Sequence, residues 1–170
     1  MRPVTRHVIV IVVSSALIAV LTMVTKMIEM PARPPMSEFE ERSPIIRTDF
    51  SDESTWESLR AAIEAPVGDF RAHVRFVSDP ANSDATPAQI VERMKDGTEP
   101  FVFIVDRTAI THPDRSILVI DLHDEPGRSF RVIPSEMWAV QNNLALANMD
   151  FREFAEAVDA DGIFRGFQPR

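Results

Sequence analysis

Phe101-Val102-Phe103-Ile104-Val105 and Ile117-Leu118-Val119-Ile120 are apolar at every position. A strand with one face in water alternates apolar and polar side chains, whereas a strand covered on both faces reads as a continuous apolar run. The two runs therefore belong in the middle of a sheet with helices on both sides, which puts the chain in the α/β class.

Before this pair, Thr86-Pro87-Ala88-Gln89 opens a helix: Thr86 caps it, Pro87 takes the first helical position and Gln89 completes a capping box. That helix runs to about Lys95, and Gly97 ends it. Ala72, Val74 and Phe76 alternate with His73, Arg75 and Val77, a period of two that predicts a strand with one partly covered face. Residues 45–48 predict another short strand. Asp49, Ser51 and Asp52 then offer caps for a helix to about Ala65, with Trp56, Leu59 and Ile63 on its apolar face.

After the pair, Pro126-Gly127 suits the central positions of a type II turn, which returns the chain into an antiparallel strand at 130–132. Pro134 opens a short helix with Met137 and Trp138. Leu144 and Leu146 alternate with small residues as in an extended segment, and Asp150 with Glu153 caps a last helix over 151–158. The expected order is strand–helix–strand–helix–strand–strand–strand–helix–helix. It makes a single compact α/β domain over 44–170, with a mixed, largely parallel sheet covered by helices.

Carboxylates gather where these strands end: Asp49 and Asp52 after the first, Asp79 after the second, Asp106 after the third, Asp121 and Asp124 after the fourth. In open α/β sheets ligands bind outside the carboxyl ends of the strands. Converging there, Asp49, Asp52, Asp106 and Asp121 would form an oxygen-rich site for Mg²⁺ or Mn²⁺, with His112 or His123 as general acid or base. The same aspartates also suit helix caps and turns. Arg47, in a buried strand, needs a carboxylate partner, and Asp106 or Asp121 would supply one. Asp124, Glu125 and Arg128 form a polar loop that is either a binding surface or an ordinary hairpin turn. Trp138, Phe164 and Phe167 are candidate interface aromatics.

Several of these strings resemble a domain of unknown function found chiefly in actinobacterial proteins. The resemblance rests on Ile46-Arg47-Thr48-Asp49-Phe50-Ser51-Asp52 with Trp56, on Thr111-His112-Pro113, on Asp121-Leu122-His123-Asp124-Glu125-Pro126-Gly127-Arg128 and on Asn148-Met149-Asp150-Phe151. It covers about residues 44–167 and implies no established activity or catalytic residues.

The N-terminal segment is different in kind. The run that opens at Val8 and closes at Val24 holds seventeen uncharged residues. As a helix it reaches about 26 Å, the low end of what spans a bilayer. Arg2 and Arg6 precede it as in a signal peptide, but no pair of small residues follows that a signal peptidase would cut. Residues 1–30 are therefore expected to be a single-pass membrane anchor. Basic residues flank both ends evenly and leave orientation open. Translation from Met36 would give the same domain without the anchor, in the cytoplasm. Pro31, Pro34 and Pro35, with Glu38, Glu40 and Glu41, make 31–43 a Pro-rich acidic linker.

Among 170 residues there are 26 acidic and 18 basic side chains, a net charge of −8. Residues 1–35 hold four basic groups and one acid, so the remainder carries −11. That balance argues against nucleic acid, whose phosphates need a basic footprint. The absence of cysteine excludes disulfides, thiolate zinc sites and a cysteine nucleophile. No Gly-rich phosphate loop, nucleophile elbow or H-E-x-x-H helix occurs. The expected function is a membrane-anchored, non-catalytic module that binds a basic protein partner, regulatory or immunity-like, without a cofactor. The alternative is a Mg²⁺- or Mn²⁺-dependent hydrolase or phosphotransferase built on the strand-end aspartates.

Overall fold

A computed structural model describes residues 42–167. The expected membrane anchor and most of the linker lie outside those residues. Among the described residues no helix is long and apolar enough to cross a membrane.

The strands are β1 (Ser43–Arg47), β2 (Val74–Val77), β3 (Phe101–Val105), β4 (Ile117–Asp121), β5 (Ser129–Val132) and β6 (Ile163–Phe164). They form one mixed sheet in the order β2-β1-β3-β4-β5-β6. β1 runs parallel to both β2 and β3, β4 is antiparallel to β3 and β5, and β6 is parallel to β5. Parallel neighbours need long crossovers. Those between β1, β2 and β3 carry α1 (Glu53–Glu64) and α2 (Pro87–Met94).

The apolar runs sit where their composition requires. β3 is buried at every position, and its successive side chains divide between two cores because strand side chains alternate faces. Phe101, Phe103 and Val105 join Trp56, Leu59 and Ile63 of α1 with Val140 and Phe154. Val102 and Ile104 join Ile46, Ile120 and Ile90 of α2. Each fully buried side chain of this kind stabilises the fold by about 1.5–3 kcal/mol.

The expected caps are present. Asp52 accepts from Thr55 N–H at 2.9 Å, and Thr86 and Gln89 form the reciprocal capping box of α2. At the hairpin between β4 and β5, Arg128 N–H donates to the Glu125 carbonyl at 2.8 Å, closing a turn in which Gly127 has φ +93°. That positive φ is what a type II turn demands of its third residue.

Three features differ from expectation. α3 (Arg107–Thr111) follows β3 directly, because Asp106 caps it by accepting from Ala109 N–H at 3.0 Å. Residues 144 and 146 are not extended: α4 (Met137–Ala145) runs through Leu144, with Leu146 as its C-cap. Met137, Val140 and Leu144 pack on the larger core at helical spacing, which overrides a two-residue alternation. Finally, α5 (Phe151–Glu156) is followed by β6, whose two residues are too few to show a period.

Candidate functional site

The parallel strands give the sheet an exit end, where β1, β2 and β3 finish, and an entry end, where they begin. At the exit end each predicted aspartate is occupied by a turn, a helix cap or an ion pair of the fold. Asp49 accepts from Ser51 N–H at 2.8 Å and from the Ser51 hydroxyl. Asp52 caps α1, and its hydrogen bonds with Thr55 hold its carboxyl below the ordinary value. Asp79 caps a short 3₁₀ turn by accepting from Ala81 N–H at 2.9 Å.

Asp106 caps α3 and also pairs with Arg131 of β5, whose Nη1 donates to the Ser116 carbonyl at 2.8 Å. Arg47 is not the partner of Asp106 or Asp121. It reaches Glu53 at 2.7 Å and the Asp49 carbonyl at 2.9 Å, and its guanidinium lies over the rings of Phe50 and Trp56. Arg47 shares a strand face with Ile45, so its side chain points towards α1 rather than along the sheet.

Asp121 is at the other end of the sheet. Because β4 is antiparallel, Asp121 pairs with Phe101, the first residue of β3. Asp106 lies five residues further along that strand direction, about 17 Å away at the usual rise. Asp49, Asp52, Asp106 and Asp121 therefore do not converge. Among the described residues no group of three or more His, Asp and Glu side chains could hold a metal ion.

Asp121 instead organises the hairpin loop, accepting from the backbone N–H groups of His123, Asp124 and Glu125 at 2.8, 3.2 and 2.9 Å. Within that loop His123 pairs with Asp124 at 3.0 Å and Glu125 with Arg128 at 2.6 Å. His112, capping the end of α3, lies 3.7 Å from Asp114.

The entry end carries a groove of about 770 Å³. Gln141 of α4 forms part of its wall and is 2% exposed. Its Oε1 accepts from His73 N–H at 2.8 Å and its Nε2 donates to the Ser43 hydroxyl at 3.1 Å, so one buried amide fastens the starts of β1 and β2 to α4. Trp138 stacks against Phe70, with ring centroids 4.7 Å apart and planes 17° from parallel.

Phe70 is held there by a tight reversal. Val67 N–H donates to the Phe70 carbonyl at 2.8 Å, Phe70 N–H donates back at 3.2 Å, and Gly68 takes φ +60° at the first central position. A side chain at that position would be strained, which is why two-residue reversals of this kind use glycine. Phe70 and Leu146, both lining the groove, are 55% and 70% exposed. An adjoining recess of about 350 Å³ shares Arg42 and His73 with the groove and adds Arg71 and Glu64.

The family described as domain of unknown function DUF6924 matches residues 42–167. The chain belongs to that family. The match spans nearly the same residues as the resemblance drawn from the sequence. No curated protein matches the chain.

Of the residues expected to act, the DUF6924 domain brings only Trp138 to the groove. Phe164 is fully buried in the core, and Phe167 packs on Phe154 and Phe164 at the far edge. Phe70, Leu146, Gln141 and Arg71 were not expected. Their one sequence signal is an aromatic set in a Pro-Gly loop, 66–70, where a turn needs no large apolar group.

The groove has apolar side chains in its wall, one buried amide at Gln141 and asparagines around its margin. Such a site can hold a chain segment.

Proposed function

We propose that the domain is a non-catalytic binding module whose protein partner docks in the entry-end groove against Phe70, Trp138 and Leu146. The observation that carries this reading is the pair of large apolar side chains left in water around one concavity. Exposed apolar groups clustered on a polar rim mark interaction sites, and aromatic anchors at their centre supply most of the binding energy. The fastening of β1, β2 and α4 by Gln141 supports it further, since a pre-formed wall lowers the ordering cost of binding. In the same reading the apolar run from Val8 to Val24 holds this module at a membrane.

Selection of displayed random peptides on the membrane-inserted full chain tests both halves. Enriched peptides should lose binding to a Phe70→Ser/Leu146→Ser double variant whose circular dichroism is unchanged. Peptides that bind both forms equally would overturn the groove. Extraction of the chain by alkaline carbonate would overturn the anchor.

A further inference from the structure

We infer that the occupant of this groove is an acidic segment carrying an aromatic anchor, opposite in sign to the basic partner that the net charge of −8 suggests. The inference rests on the groove being the docking site and adds the chemistry of what docks. Charge around the groove is the reverse of the charge of the body. The recess that shares Arg42 and His73 with it carries two arginines, Arg42 and Arg71, against one acid, Glu64. Arg71 is exposed and, among the described residues, makes no hydrogen bond or ion pair.

Most other guanidiniums of the domain are already taken. Arg47 pairs with Glu53, Arg75 with Glu99, Arg128 with Glu125, Arg131 with Asp106 and Arg165 with Asp114. Arg71 instead follows directly on Phe70, so consecutive residues give the groove an apolar ring and the adjoining recess an uncommitted cation.

A ligand that uses both places an aromatic ring against the Phe70–Trp138 stack and a carboxylate one or two residues away over Arg71. Aromatic stacking and a charge-assisted hydrogen bond then act together. The negative charge of the rest of the domain does not cancel this preference. Beyond about 8 Å it is screened at physiological ionic strength, and the groups at contact decide.

The test is fluorescence anisotropy on the full chain with three labelled octapeptides. One has a central phenylalanine flanked by glutamates, one has lysines for the glutamates, and one has alanine for the phenylalanine. The glutamate–phenylalanine peptide should bind about fivefold more tightly than the lysine version, since one exposed ion pair at Arg71 supplies up to roughly that factor. It should also bind at least about fivefold more tightly than the alanine version.

Phe70→Ala should weaken it by a similar factor. Arg71→Glu, at an exposed residue that makes no hydrogen bond or ion pair among the described residues, should reverse the order of the glutamate and lysine peptides. Binding that depends on Phe70 but shows no preference for glutamate, or no reversal with Arg71→Glu, would overturn the acidic occupant and leave the groove standing. Binding by none of the three, or binding indifferent to Phe70→Ala, would overturn the groove and this inference with it.

Discussion

At the exit end of the sheet, polar side chains are consumed by the fold: Asp49 closes a turn, Asp52 and Asp106 cap helices, and Asp106 also ties β3 to β5 through Arg131. At the entry end, the side chains of Phe70 and Leu146 stay more than half exposed, and that of Arg71 makes no hydrogen bond or ion pair among the described residues. The comparison separates two kinds of conspicuous residue. A carboxylate at a strand exit looks chemical in sequence because ligand sites and helix caps draw on the same residue types. An aromatic in a turn looks incidental, yet Phe70 stays 55% exposed even with one face stacked on Trp138, and that points to a use outside the fold.

The sharpest way to break the comparison is at Asp106. Asp106→Ala removes the cap of α3 and leaves Arg131 half-enclosed without its carboxylate. Losing a cap costs about 1 kcal/mol, and stranding a hydrogen-bonded charge adds more, so unfolding free energy should fall by about 2–4 kcal/mol in urea denaturation. Millimolar Mg²⁺ should leave the melting temperature of the wild-type chain unchanged. A Mg²⁺-dependent rise, abolished by Asp106→Asn, would mean that the exit end binds a metal after all.

How far the sequence could be read follows the same division. The continuous apolar runs at 101–105 and 117–120 placed the middle of the sheet, and the Thr86–Gln89 box placed a helix start, because burial on both faces and capping are local and strong. The direction of β4 was not local. Ile117–Asp121 would read the same in a parallel strand, and the antiparallel turn moved Asp121 to the opposite end of the sheet from Asp106. That strand direction separates Asp121 from Asp49, Asp52 and Asp106, with which spacing alone had grouped it. Phe70 escaped notice for the converse reason: its exposure is set by a reversal at Gly68, and no apolar period marks it.

A smaller change probes the entry end from the other side. Ala147 follows α4 with φ +51°, a left-handed conformation that glycine adopts without penalty and alanine does not. Its backbone is used there, since Ala147 N–H donates to the Leu144 carbonyl at 3.2 Å and Asn148 N–H to the Asn143 carbonyl at 2.9 Å. This is the arrangement that ends many helices with glycine. Ala147→Gly should therefore stabilise the domain by about 0.5–1 kcal/mol, measured as a raised urea midpoint with an unchanged slope. It should also leave peptide binding intact if Leu146 and Asn148 keep their places. A loss of binding together with a gain in stability would mean that strain at Ala147 shapes the groove.

The smallest expected effect concerns acid. Beyond β6, Arg165 bridges Asp114 at 2.6 Å and Asp159 at 2.7 Å. Hydrogen bonding to that guanidinium is the leading reason both carboxyls titrate below their ordinary value of 3.8. A carboxyl whose folded-state pKa is depressed stabilises the fold above its unfolded value, and that stabilisation is lost as pH falls through the folded value. Melting temperature should thus hold from neutrality down to about pH 5 and then drop as the pH passes below 3.8.

Arg165→Gln should lower the plateau slightly and flatten the drop, because both carboxyls then titrate near their unfolded values. All three groups are partly solvated, which keeps the effect modest. Phe70→Ser should leave the acid profile unaltered, since no carboxylate of the clip meets the groove. If it shifted the profile as much as Arg165→Gln does, the two ends of the sheet would not be separable, and the division between residues spent on the fold and residues kept for a partner would fail.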